Sequence, residues 1–220
     1  VVGIELVNEP AHWSLDMNVV RKYYEESIDM LREHMADEQS IVVADAFLPI
    51  HQWNDFMAKH RDDNLILDTH HYQVFVDDLL AMDEHGHAAT VCAKRKELEA
   101  ATAQQYPVIV GEWSLATDDC AKWLNGFNVG ARWDGTIPAR NGKPIHPNAT
   151  CEGRNDVATF TPEYRDWLRR FAELQMDAYE AGRGWFFWNF KTEQSPQWDY
   201  LLGVEEGWIP SHPSKRHHHC

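Results

Sequence analysis

Two glutamates stand where chemistry is usually placed. Glu9 lies in Glu5-Leu6-Val7-Asn8-Glu9-Pro10, and Glu112 lies in Val110-Gly111-Glu112-Trp113-Ser114. Each closes a short apolar run that reads as a β-strand, and parallel barrels present their reacting groups at such C-terminal strand ends. Two carboxyls on neighbouring strand ends can divide one reaction between them. A protonated one donates to a departing oxygen, while an ionised one attacks or stabilises the carbon left behind. Cleavage of a glycosidic bond requires this division. A lone strand-end Glu is more often an ion-pair partner or a loop anchor. Two of them, three ordinary βα units apart, reverse that balance.

Other candidates carry weaker signals. His70 and His71 suggest a metal pair, but adjacent residues on a strand point to opposite faces and do not share one ion. No metal and no cofactor is expected. His85 and His87 flank Gly86 and read as a solvated loop, and Asp118-Asp119 as a loop cap. Phe75 reads equally as packing or as a sugar contact. Trp is abundant, at 10 of 220 residues. Indole faces fill cores and also stack on the apolar faces of sugar rings, and about half of them, Trp167 included, read as core.

Elements must hold these groups in place. Short apolar runs alternate with helical stretches, the pattern of a parallel α/β fold. Strands are expected at 1–8, 41–45, 65–70, 108–112 and 184–188. Val19, Val20, Tyr23, Tyr24, Ser27, Ile28, Leu31 and Met35 follow helical spacing. A short helix covers 52–59. Helical stretches at 77–85 and 88–104 are interrupted near Gly86. A long polar loop spans 116–161. A helix then begins at the N-cap Thr161 with Pro162 in its first position and stops near Gly182, with Tyr164, Trp167, Leu168, Phe171, Leu174 and Ala178 on one face. Five strands do not close a barrel. An eight-stranded barrel lacking its first three strands accounts for a chain that opens directly on a strand, so residues 1–220 are read as the C-terminal portion of a single (β/α)8 TIM-barrel catalytic domain, supplying about strands 4 to 8.

Composition narrows the partners. With 20 Lys+Arg against 35 Asp+Glu, the formal charge is −15. Nucleic acid and acidic membrane surfaces are disfavoured, and a neutral substrate fits best. No run of about 18 apolar residues exists to span a membrane. Cys92, Cys120, Cys151 and Cys220 form no CxxC motif, and the even count, with the sequon Asn148-Ala149-Thr150, points to an oxidising, glycosylating route. Four cysteines allow three pairings.

Several motifs carry a resemblance. Asn8-Glu9-Pro10, His70-His71-Tyr72, Gly111-Glu112-Trp113-Ser114 and Trp188 resemble glycoside hydrolase family 5, a retaining (β/α)8 group. The stretches 70–75, 119–126, 130–132 and 188–193 are similar to the fungal exo-β-1,3-glucanases. The resemblance implies Glu9 as acid/base and Glu112 as nucleophile. It implies that Asn8 hydrogen-bonds the sugar 2-OH and that Tyr72 donates to Glu112. His70 would contact the sugar or orient the acid, Trp188 would lie under the first glucose, and Phe75 would grip the next. It also implies disulfides Cys120–Cys151 and Cys92–Cys220. Two departures stand out: Ala11-His12-Trp13 after the first motif, and Phe190 where relatives often carry Trp.

The expectation is therefore a secreted or cell-wall retaining hydrolase that releases glucose from β-1,3-glucan, with its carboxyl groups about 5–5.5 Å apart. The N-terminal half of the barrel, from the same precursor or another chain, would be its structural partner. The rivals are an endo-acting β-glucanase, cellulase or mannanase, or a transglycosylase, on the same scaffold. A rival of another class is a non-catalytic glucan-binding fragment.

Overall fold

The apolar runs pair as strands wherever a neighbour offers a matching edge. In the computed structural model, which describes residues 1–220, β1 is Gly3–Glu5, β2 Ser40–Ala44, β3 Leu65–His70 and β4 Val108–Glu112. They form one sheet in the order β1-β2-β3-β4. Parallel registers set Ile4 opposite Ile41 and Val43 opposite Leu67. Parallel strands need crossovers, and helices supply them: α1 (Met17–Arg32), α2 (Asn54–Lys59), α3 (Asp77–Leu80) and α4 (Glu84–Ala103), with α5 (Pro162–Tyr179) and α6 (Tyr200–Glu205) following β4.

The chain divides into two compact units. The first comprises Val1–His70, Lys94–Gly111 and Tyr179–Trp185. Here α1 starts where the Asp16 carboxylate accepts the Asn18 N–H at 2.9 Å, and it buries Val20, Tyr24 and Ile28 at four-residue spacing. The Tyr24 hydroxyl donates to the Ala44 carbonyl at 3.1 Å, which fixes α1 to β2. Ile41, Val43, Leu67, Val108 and Val110 are completely buried.

The second unit comprises His71–Ala93, Glu112–Ala178 and Phe186–Cys220. Thr161 caps α5 through the Tyr164 N–H at 3.2 Å, and Trp167, Leu168, Phe171, Leu174 and Ala178 are buried along the expected face. The long loop before α5 is anchored by charge and by sulfur. Asp118 pairs with Arg154 at 2.6 Å, Asp119 accepts the Arg132 and Trp133 N–H groups at 2.9 Å each, and Cys120 is joined to Cys151. Cys92 is joined to Cys220, with Cα atoms 5.3 Å apart in both disulfides. The Glu173 carboxylate accepts the His217 and His218 N–H groups at 2.8 and 2.9 Å, holding the tail on α5.

Four expectations need correction. β1 has three residues rather than eight, because its ladder with β2 ends near Leu6, whose N–H donates to Val42. The expected fifth strand at 184–188 is a single bridge between Val110 and Trp185; Gly184, at φ +122°, departs from extended geometry and prevents a continuous ladder. The helical break falls between α3 and α4 rather than at Gly86, whose N–H is instead capped by Asp83 at 2.8 Å. His87 is therefore not in a solvated loop. It is 2% exposed within α4, with its Nδ1 2.8 Å from Gln73 Oε1.

Candidate active site

One candidate carboxylate follows β1 in a turn and the other ends β4, and local structure aims each. After β1 the chain turns through exposed Asn8 to Glu9, then to buried Pro10. Glu9 adopts φ +48°. For a residue with a Cβ this region costs on the order of 1–3 kcal/mol, and such costs concentrate at functional positions. The turn is held from beyond by His12, whose Nδ1 donates to the Ala46 carbonyl at 3.0 Å. Glu9 Oε1 then lies 2.6 Å from His70 Nδ1. The Glu9 side chain is 35% exposed while His70 is 6% exposed, so a buried ring holds an accessible carboxyl. On the same strand, Asp68 Oδ2 lies 3.3 Å from His70 Nε2.

Glu112 is the last residue of β4. Tyr72 donates its hydroxyl to Glu112 Oε2 at 2.7 Å. The Tyr72 ring meets Phe75 edge-on, with centroids 5.4 Å apart, and lies against Trp198 at 5.3 Å. Val74, Leu80 and Ala116 complete that apolar cluster. Phe75 is 44% exposed and Trp188 48% exposed, so each keeps a free ring surface. Trp188 is fixed through its backbone: its N–H donates to the Trp113 carbonyl at 2.8 Å, and the Trp188–Asn189 peptide is cis. Asn148 is exposed within the loop closed by Cys120–Cys151.

Just after β2, burial pushes the Asp45 carboxyl up to about 6. Hydrogen bonds from Thr69 and the Phe47 N–H, with the charges of Lys94 and His70, act against that rise. Sequence reasoning passed over Asp45 and Asp68, because a carboxylate inside or just after a strand has no distinctive neighbours in the chain. The Asp68-Thr69-His70 spacing, which sets the Asp68 and His70 side chains on one strand face, was the available signal. Trp13 was noted only as part of a departure from the family motif and Phe47 was passed over; the two are exposed and pack ring against ring at 4.9 Å.

Taken by itself, each carboxylate is accessible and hydrogen-bonded, Glu9 in the turn after β1 and Glu112 at the end of β4. Such groups can act as acid, base or nucleophile.

Comparisons with known proteins point to a glycoside hydrolase family. The family described as Cellulase (glycosyl hydrolase family 5) matches residues 1–129. A glucan 1,3-beta-glucosidase of Kluyveromyces lactis is 36% identical over 96% of this chain and 48% of its own length. One from Blumeria graminis is 38% identical over the same shares. Glucan 1,3-beta-glucosidase 2 of Saccharomyces cerevisiae is 36% identical over 96% of this chain and 41% of its own. The chain thus spans about half the length of these curated relatives. A crystal structure of AoRut superposes with a TM-score of 0.50 over 86% of this chain and 42% of its own, at 16% identity. At that identity the likeness concerns fold alone. It accords with a four-stranded parallel sheet that is part of a (β/α)8 barrel. The chain belongs to glycosyl hydrolase family 5.

Proposed function

We propose that this chain is the C-terminal portion of a retaining β-glycosidase that releases glucose from β-1,3-glucan. The observation that carries the reading is the pair of supported carboxylates: Glu9 on the His70 ring at 2.6 Å and Glu112 under the Tyr72 hydroxyl at 2.7 Å. The names of the fungal relatives supply the substrate.

Glu112 attacks the anomeric carbon while Glu9 protonates the departing glucan oxygen. Glu9 then deprotonates water, which releases the sugar from Glu112. The Tyr72 hydroxyl stabilises Glu112 in its ionised, attacking form. Asn8 binds the sugar 2-OH, Trp188 lies beneath the ring, and Phe75 contacts the next residue. An N-terminal half supplies the remaining strands of the barrel beside β1, where Val1, Val2 and Ile4 are exposed. Two disulfides favour a secreted or cell-wall setting, where the exposed Asn148 sequon accepts a glycan.

Glu112→Ala in the full-length protein is expected to abolish hydrolysis with the circular dichroism spectrum unchanged. Normal turnover by that variant would remove Glu112 as nucleophile. Laminarin digestion separates modes of action: glucose alone supports the exo reading, whereas a ladder of oligomers supports an endo-acting enzyme, as the family description Cellulase would suggest.

A further inference from the structure

Behind the His70–Glu9 contact stands a third group. Asp68 and His70 are two residues apart on β3, so their side chains share a face. The Asp68 side chain is 4% exposed. Its Oδ1 accepts the Gly111 N–H at 2.7 Å, and its Oδ2 lies 3.3 Å from His70 Nε2. A Cβ on Gly111 would fall 2.2 Å from Asp68 Oδ2, so the carboxylate occupies room that glycine leaves open. His70 is thereby set between two carboxyls, with Nδ1 facing Glu9.

An ionised carboxylate only accepts hydrogen bonds. With one Asp68 oxygen on Gly111, the other takes Nε2–H. A neutral imidazole carries a single proton, so Nδ1 then presents a lone pair. The 2.6 Å contact must be bridged by the proton of a neutral Glu9. If that proton crosses to Nδ1, Glu9 is ionised and the pair still holds it. We infer that Asp68 is a positioning residue that fixes the tautomer of His70, so that Glu9 and His70 share one transferable proton. The inference rests on Glu9 being the acid/base. In the first step the shared proton passes to the glycosidic oxygen as the C–O bond breaks and Glu112 bonds to carbon. In the second, water attacks that carbon, the Glu112 bond breaks, and the water proton returns to the pair.

Asp68→Asn tests this in the full-length chain. The Gly111 N–H keeps the amide oxygen on its side, so the –NH2 faces Nε2 and forces that nitrogen to accept. Nδ1 then bears the ring proton and donates it to an ionised Glu9, leaving nothing to transfer. The expected result is a fall in kcat/KM on the order of 100-fold for an alkyl β-glucoside, whose leaving group needs protonation. For dinitrophenyl β-glucoside, whose leaving group departs unprotonated, the expected fall is at most about threefold. Equal losses on both substrates would overturn the proposal and leave Asp68 a packing residue. Glu9→Gln, assayed in parallel, checks the underlying reading: without the same substrate dependence, Glu9 is not the acid. Should Asp68→Asn fail to fold, nitrogen NMR of the wild-type His70 ring decides. A protonated Nε2 supports the assignment and a bare one overturns it.

Discussion

Tyr72 reaches Glu112 from a ring lodged against Phe75 and Trp198, so its hydroxyl has little freedom to leave the carboxylate. A hydrogen bond to a charged acceptor contributes about 1.5–3 kcal/mol. Tyr72→Phe keeps the ring and its packing and removes the hydroxyl that donates to Glu112. Loss of kcat/KM by roughly 10- to 100-fold is expected, and it should be similar for activated and unactivated glucosides, because the nucleophile serves both. A loss confined to the unactivated substrate would place Tyr72 on the acid side. Glu9 and Glu112 were legible as carboxyls closing apolar runs, and His70 and Tyr72 through the family resemblance of their motif. Asp68 was not, since its partner Gly111 lies 43 residues away and the meaning of the pair exists only in the folded sheet. His87 was misread because Gly86 suggested a loop, when Asp83 three residues earlier was the cap of a helix that contains both.

At the scale of elements, β3 and β4 are locked by one glycine. Alanine at position 111 would place a methyl group 2.2–2.3 Å from both Asp68 oxygens and displace the carboxylate that takes the Gly111 N–H. Overpacking plus a lost buried hydrogen bond should cost about 2–4 kcal/mol in denaturant unfolding. On an Asp68→Ala background the same change should cost far less. Additive losses in that cycle would mean that the two positions do not interact. Elements with internal periodicity were readable from the chain alone: α1 and α5 bury one stripe each, and β3 and β4 match the expected 65–70 and 108–112. Elements defined by a partner were not. β1 is as long as its ladder with β2 allows, and the 184–188 segment is limited by the conformation of Gly184.

Across the whole molecule, two buried groups set opposing responses to acid. Burial lowers the His87 pKa to about 4, so between its unfolded value near 6.5 and 4 the unfolded chain binds more protons than the folded one. Stability from His87 is therefore complete above pH 6.5 and is lost as pH falls through that window. Asp45, raised by burial to about 6, runs the other way. Between 3.8 and 6 the folded chain is the more protonated, and stability declines as pH rises. The two trends offset each other between about pH 4 and 6, the acidic range in which general-acid chemistry on a carboxyl would operate. His87→Gln keeps a polar partner for Gln73 but cannot titrate. Relative to wild type its unfolding free energy should improve by about 2–3 kcal/mol as pH is lowered from 6.5 to 4. Asp45→Asn should improve relative to wild type as pH is raised from 4 to 6. Guanidinium titrations at three pH values across this range measure both slopes. Variant-minus-wild-type differences that do not change with pH would mean that neither group is held away from its ordinary protonation range by burial.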